Sequence, residues 1–425
     1  MTLIKTSMLN GFAVVVKMLT LLGINKILAI YVGPVGYAAL GQFQNAMQMI
    51  TTCASGAINT GVTKYTAQYY EDEIRQRLVW RTAGTISLVS SLFTALVIAL
   101  FNKPLAIWLL KDASYGGVFL WFSATLVLFT FNALLMAILN GKKDIARYVV
   151  ANITSSVFSL IVTTIMATQF GLYGALVALA VYQSLSFFVT LLLCYKAPWF
   201  KIKYLVGGID KQIAVNLGKY TVMAVTSAVC APVGHMLIRS HLVASFGWDA
   251  AGYWEAMWRL SAAYLMLATT TLSVYYLPRL SELKEAVDIK KEIIQGYKII
   301  LPIAATSGLV IYLLRDFIIS LLFTDAFIPM RELFAWQMIG DTLKVGSWIL
   351  SFVMLSKAMV KLFIYSQIIF HASFVLLVYL LTWTIGFEGV VLAHAVNFLL
   401  YWCFLGYFFG RKFFRGSAVN EKKYY

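Results

Sequence analysis

Apolar runs of about 20 residues, each long enough to cross a bilayer as a helix, recur along this chain from one end to the other. They fall near residues 8–32, 36–62, 82–102, 118–140, 146–168, 172–195, 215–240, 251–277, 297–314, 331–355, 360–384 and 389–410. Hydrocarbon offers no partner to a backbone N–H or C=O, so each segment must satisfy its own, and a helix does so unaided. The sequence therefore predicts an all-α integral membrane protein with twelve transmembrane helices. A composition of 61% hydrophobic and 12% charged residues agrees and excludes an ordinary soluble domain. Lys17 interrupts the first run and a second run follows at once, so the first is expected to be retained rather than cleaved as a signal peptide.

The formal net charge of +16 would suggest nucleic acid in a soluble protein. Its distribution points elsewhere. With the N-terminus in the cytoplasm, about 25 of the 34 Lys and Arg residues fall at cytoplasmic helix ends, as the positive-inside rule requires. They occupy Lys64–Arg81, Lys142–Arg147, Lys196–Lys219, Arg279–Lys298, Lys357–Lys361 and a tail from Arg411 to Lys423. The opposite loops hold Lys103, Lys111, Arg239, Arg315 and Arg331. Both termini are then cytoplasmic. Cys53, Cys194, Cys230 and Cys403 lie far apart in apolar runs and read as core thiols rather than metal or redox ligands. The four histidines form no ligand pattern; His235 and His241, flanking Arg239, are the two placed to meet a substrate.

The chain also repeats itself weakly. Gly36-Tyr37 matches Gly252-Tyr253, Gly171–Val181 matches Gly386–Val396, and Lys142 matches Lys357, all at an offset of about 215 residues. Pro104–Leu110 followed by Asp112 resembles Phe317–Leu322 followed by Asp325. A duplicated six-helix unit gives both copies the same orientation, related by an axis along the membrane normal. This predicts an N-terminal bundle over 1–205 and a C-terminal bundle over 206–425 ending in the basic tail. Substrate would sit between the halves, near the midplane.

Ionised groups inside the runs are the candidate site. A charge at the bilayer centre costs about 2.5–3.5 kcal/mol on insertion scales, so such groups usually face a polar interior. Lys17, Lys26, Arg259 and Lys344 oppose Glu255 and Asp341, four cations less two anions, which favours an anionic ligand. Lys17 and Lys26, nine residues apart, fall on opposite faces unless the helix bends at Gly23, and Lys26 can snorkel to the outer surface instead. Gln42, Gln44, Asn45, Gln48, Thr52, Ser55 and Asn59 form a polar stripe about 160° wide on one helix. The stripe either lines a water-filled cavity or bonds neighbouring helices. Gln337, Asp341, Lys344 and Trp348 share one face at spacings of 4, 3 and 4. Asp341 and Lys344 form either a self-neutralising pair or an anion-binding lysine with a titratable neighbour. Glu255 and Arg259 are an i,i+4 pair, beside Trp254 and Trp258, which read as interfacial anchors.

No Gly-x-x-x-x-Gly-Lys-Ser/Thr loop marks a nucleotide site. The outer loops are too short for a catalytic domain, and no nucleophile or metal cluster suggests covalent catalysis. The loop after the second run lacks the Gly-x-x-x-Asp-Arg-x-Gly-Arg-Arg pattern of major facilitator transporters.

Three polar-containing stretches are more specific than hydropathy: Gly61–Tyr69 (GVTKYTAQY), Leu313–Phe317 (LLRDF) and Leu333–Gly346 (LFAWQMIGDTLKVG). Together with Lys17 and Lys26 they resemble the Wzx flippases of enterobacteria, which serve O-antigen and enterobacterial common antigen. Arg259 falls outside that pattern. The resemblance implies the fold of the multidrug/oligosaccharidyl-lipid/polysaccharide exporter superfamily, two six-helix bundles forming a V-shaped central cavity. It implies an inner-membrane flippase, not an enzyme, that turns undecaprenyl-pyrophosphate-linked oligosaccharide from the cytoplasmic to the periplasmic leaflet by alternating access. The polymerase and chain-length regulator of the same pathway are implied partners. On this reading Lys17, Lys26, Lys64, Arg259 and Lys344 bind the pyrophosphate. Gln42, Asn45, Gln48, Asn59 and Gln337 bond sugar hydroxyls. Glu255 and Asp341 are candidates for coupling to a proton or Na⁺, with no bound cofactor or metal. The alternatives are a small-molecule or multidrug antiporter of the same superfamily and a membrane glycan-assembly enzyme.

Overall fold

The computed structural model describes residues 3–283, 285–357 and 359–414. The expected basic tail, beyond Phe414, lies outside the described residues. Among those residues there is no strand, and the order is α1 (Leu3–Tyr31), α2 (Gly33–Ala54), α3 (Asn59–Gln68), α4 (Glu73–Leu100), α5 (Asn102–Leu110), α6 (Gly116–Gly141) and α7 (Ile145–Tyr195). Then follow α8 (Lys211–Thr271), α9 (Leu277–Glu282), α10 (Ala286–Leu313), α11 (Arg315–Leu322), α12 (Phe334–Ser356), α13 (Val360–Ile385) and α14 (Gly389–Phe414).

Eight segments among the described residues are helices long and apolar enough to cross a membrane: Gly11–Tyr31, Glu73–Leu100, Ala113–Gly141, Ile145–Tyr195, Ala286–Leu313, Asp325–Ser356, Val360–Ile385 and Gly389–Arg411. Large apolar side chains such as Phe93, Ile165, Leu376 and Trp383 stand exposed on them. Water would penalise so much apolar surface, whereas lipid accepts it. The chain is a multi-pass membrane protein.

Two helices exceed any bilayer. At about 1.5 Å per residue, 51 residues in α7 and 61 in α8 would reach far beyond the roughly 30 Å hydrocarbon layer. Each is interrupted by a glycine in a conformation that side chains resist: Gly171 (φ 55°, ψ −132°) and Gly247 (φ 87°, ψ 172°). Similar backbone signs recur at the spacing seen in the sequence. Gly33 (φ 67°) opens α2 as Gly247 opens the second piece of α8, and Gly386 (φ 79°) stands where the repeat places it against Gly171. Short helices α5 and α11 follow α4 and α10 in the same way.

The second expected span is not one helix. Gly56 (φ 66°) and Ala57 (φ 54°) turn the chain between α2 and α3. A left-handed glycine just past the last helical turn is a common way to stop a helix. The polar stripe is therefore continuous only from Gln42 to Thr52. Ser55 caps α2, and Asn59 opens α3.

Contacts divide the chain into two compact units, Met1–Arg239 and Ser240–Tyr425. In the first, Val79, Trp80, Leu134, Ile138, Phe200 and Leu205 belong to one buried cluster. The start of α8 packs there too, with Thr221 donating to the Gly56 carbonyl at 3.2 Å. In the second, Leu272, Tyr276, Ile293, Ile349, Val353 and Leu405 form the corresponding core. Charged caps hold helix starts near the basic loops. The Asp72 carboxylate accepts from the Arg75 amide at 3.0 Å and Asp144 from the Arg147 amide at 3.4 Å, each satisfying an otherwise orphaned donor.

Candidate functional site

The second unit concentrates buried polar chemistry on three helices. Spacings of 3 and 4 put Gln337, Asp341, Lys344 and Trp348 on one face of α12, as the sequence predicts. Asp341 and Gln337 are both wholly buried. A carboxylate in such a place is tolerable only if its oxygens are bonded. Tyr264 of α8 donates its hydroxyl to Asp341 Oδ2 at 2.7 Å. Gln337 Nε2 donates to Oδ1 at 3.2 Å and to Ser261 Oγ at 3.1 Å. His394 of α14 reaches the same Oδ1 through Nε2 at 3.1 Å. The Nε2–H tautomer makes His394 the donor.

This closeness depends on Gly340. A Cβ at that position would lie 2.3 Å from His394 Cδ2, so the histidine ring occupies the space that any other residue would fill.

Lys344 does not pair with Asp341. Its Nζ lies 4.5 Å from the ring centre of Trp258, 5.2 Å from that of Trp348 and 5.5 Å from that of Phe398. Among the described residues it has no hydrogen-bond acceptor and no salt bridge. Its resting partners are the electron-rich faces of three rings. The self-neutralising pair is thus replaced by a bonded carboxylate and, one turn along, a cation in an aromatic box. Trp258 faces that cation, and Trp254 is 1% exposed. Further along the same piece of α8, Arg259 Nε bonds Glu255 Oε1 at 2.8 Å, with Glu255 buried.

The first unit carries the remaining predicted residues. Lys17 is exposed and Lys26 half-buried on α1, which runs unbroken from Leu3 to Tyr31. On α2, Gln44 and Gln48 are exposed, Asn45 half-buried and Gln42 buried. On α3, Asn59 is half-buried and Lys64 is exposed over the Tyr65 ring at 5.4 Å. Arg239 corrects the sequence reading. Expected in an outer loop, it is 2% exposed within α8 and donates from Nη1 to Gln42 Oε1 at 3.0 Å. The helix continues past the expected boundary as far as its break at Gly247. Arg239 is thus a buried cation outside the set of four that the sequence singles out.

Lys142 and Lys357 stand at the same place, just past the last turns of α6 and α12 and outside the spans, but bond different acceptors. Lys142 donates to Gln76 Oε1 at 2.9 Å amid the Tyr70, Trp80 and Trp199 rings. Lys357 donates to the Leu283 carbonyl. Burial lowers the pKa of both ammonium groups below the ordinary lysine range.

The residues that sequence reasoning missed are Ser261, Tyr264, His394, Phe398 and Arg239. The available signal was periodicity with known members: Trp258, Ser261 and Tyr264 recur at spacings of three, and His394 and Phe398 lie four apart. Nothing along the chain says that these two faces meet α12.

Residues 12–332 match the model of a family described as polysaccharide biosynthesis protein. The lipid III flippase of Escherichia coli (strain K12) is 31% identical over 404 residues, covering 94% of this chain and 96% of that protein. Among solved structures, an inward-facing multidrug resistance MATE family transporter of the MOP superfamily superposes with a TM-score of 0.76. It is 16% identical, over 94% of this chain and 96% of that one. An outward-facing MATE family transporter gives 0.68 at 17% identity, over 96% and 97%. At such identities these likenesses establish a shared fold.

Proposed function

The chain belongs to the polysaccharide biosynthesis protein family, and from that membership we propose that it is a flippase for undecaprenyl-pyrophosphate-linked oligosaccharide. The repeat unit, of enterobacterial common antigen or O-antigen type, passes from the cytoplasmic to the periplasmic leaflet of the inner membrane. The observation that carries this reading is the end-to-end similarity to a lipid III flippase. The named relatives are a flippase and transporters, not catalysts, and the helices contain an excess of cations suited to a pyrophosphate.

Lys17, Lys26, Lys64, Arg259 and Lys344 are proposed to meet the pyrophosphate in the course of its passage. Asn45, Gln48 and Asn59 bond sugar hydroxyls. Gln42 acts beside Arg239, and Gln337, bonded to Ser261 and Asp341, acts by positioning. Glu255 and Asp341 are the coupling candidates. Twelve spans in two six-helix bundles, with both termini cytoplasmic, would alternate access to the two leaflets. The glycine breaks in α7 and α8 and the recurrence of local geometry support that count. Moving one charge through 100 mV is worth about 2.3 kcal/mol, so a dianion leaving a negative interior gains roughly twice that without ATP. The polymerase and chain-length regulator of the pathway are the proposed protein partners.

Complementation of a flippase-deficient strain, scored with several different repeat units, tests the activity and defines the glycan. Lys17→Ala and Lys344→Ala should each abolish surface glycan at normal protein levels; full glycan in both overturns the cationic site. The transporter fold favours one second reading, a small-molecule antiporter. Drug sensitivity unchanged by overexpression excludes it.

A further inference from the structure

We propose that Trp258, Trp348 and Phe398 form a carbohydrate subsite that takes the sugar ring nearest the pyrophosphate, with Lys344 covering the rings until the anion draws it away. The proposal rests on the flippase reading and adds to it a specificity-determining surface.

Three observations carry it. The rings come from three helices, α8, α12 and α14, and converge on one ammonium within 4.5–5.5 Å of each ring centre. Trp258, Lys344, Trp348 and Phe398 are all half-buried rather than sealed, unlike Asp341 and His394 beside them. The carboxylate nearest along α12 is already bonded to Tyr264, Gln337 and His394. Lys344 therefore keeps its donors for a ligand, and its nearest partners meanwhile are the three ring faces.

A charge-assisted bond to a phosphate oxygen is stronger than contact with a ring face. A pyrophosphate arriving at Lys344 would pull the ammonium off the indoles and leave their faces open. A pyranose next to that phosphate would present axial C–H bonds that form a weakly positive apolar face. Aromatic faces are negative and bind such edges. Anion and sugar would thus be recognised together, the first uncovering the site for the second. A cationic drug fits poorly, because the box already holds a positive charge.

The test uses full-length protein in nanodiscs, titrated with undecaprenyl pyrophosphate and with the same lipid bearing one N-acetylglucosamine. Wild type should bind the sugar-bearing lipid roughly 10-fold more tightly, the combined effect expected of two aromatic contacts. Trp258→Leu and Trp348→Leu should remove that preference without weakening the sugarless lipid, whose anion no longer draws Lys344 from those rings; undiminished binding of that lipid also reports correct folding. Trp348→Phe should retain most of the preference, and Lys344→Ala should weaken both lipids. Equal weakening of both lipids by the Trp variants, or no change in either, overturns the subsite and leaves the flippase reading intact. Failure of wild type to bind either lipid overturns both.

Discussion

Asp341 keeps a carboxylate in the middle of a membrane helix because Tyr264, Gln337 and His394 all reach it. Removing the acceptor strands the Tyr264 hydroxyl and the His394 Nε2–H, while Gln337 keeps its bond to Ser261, and an unsatisfied donor costs about 1–3 kcal/mol. Asp341→Ala should therefore lower thermal stability in detergent substantially. Asp341→Asn should lower it less, since the Tyr264 hydroxyl can turn to accept from the new amide. Equal melting of the two variants would show that the bonds carry little. Gly340→Ala introduces a Cβ 2.3 Å from His394 Cδ2. Overpacking of this kind costs about 1–3 kcal/mol, and the variant should lose thermal stability and transport together. At this scale much of the α12 face was legible, because Gln337, Asp341, Lys344 and Trp348 keep a helical period. Their partners were not, since His394 stands 53 residues away from Asp341. The sequence reading ended the seventh span one residue past Arg239, and only the packing of α8 against Gln42 puts that charge indoors.

Helices here are defined by where they stop. Gly247 holds φ 87° and ψ 172°, a region that costs roughly 1–3 kcal/mol for a residue with a side chain. Gly247→Ala should lower the melting temperature, whereas Gly218→Ala in the same helix, where an added Cβ meets nothing within 4 Å, should leave it unchanged. Loss in both would point to α8 packing in general rather than to the break. The apolar lengths of most spans were readable, because about 20 residues of hydrocarbon-compatible chain permit little else. The stop at Gly56-Ala57 was not. Amides continue through Asn59 with the right spacing, and periodicity counts residues without seeing that the backbone has turned.

For the molecule as a whole, charge placement predicts orientation. Reporters fused in the 196–210 connection and after Phe414 should report a cytoplasmic location. Reporters at residues 111–115 and 323–331 should report the opposite side; a reversal would overturn the topology. Dissipating the membrane potential across proteoliposomes should slow movement of the dianionic lipid, measured as protection of labelled glycan from an external reagent. The repeated halves were visible as scattered matches at an offset of about 215 residues, and the paired positive-φ glycines give those matches a backbone meaning. The bond from His394 to Asp341 also sets an order of assembly. A ribosome delivers α12 first and must add 53 more residues before the histidine exists. At roughly 5–20 residues per second that interval is about 3–10 s. During it α12 carries an acid whose final donor has not been made. Until α14 arrives that carboxylate has Tyr264 and Gln337 alone, and burying it in lipid should cost less once His394 can reach it.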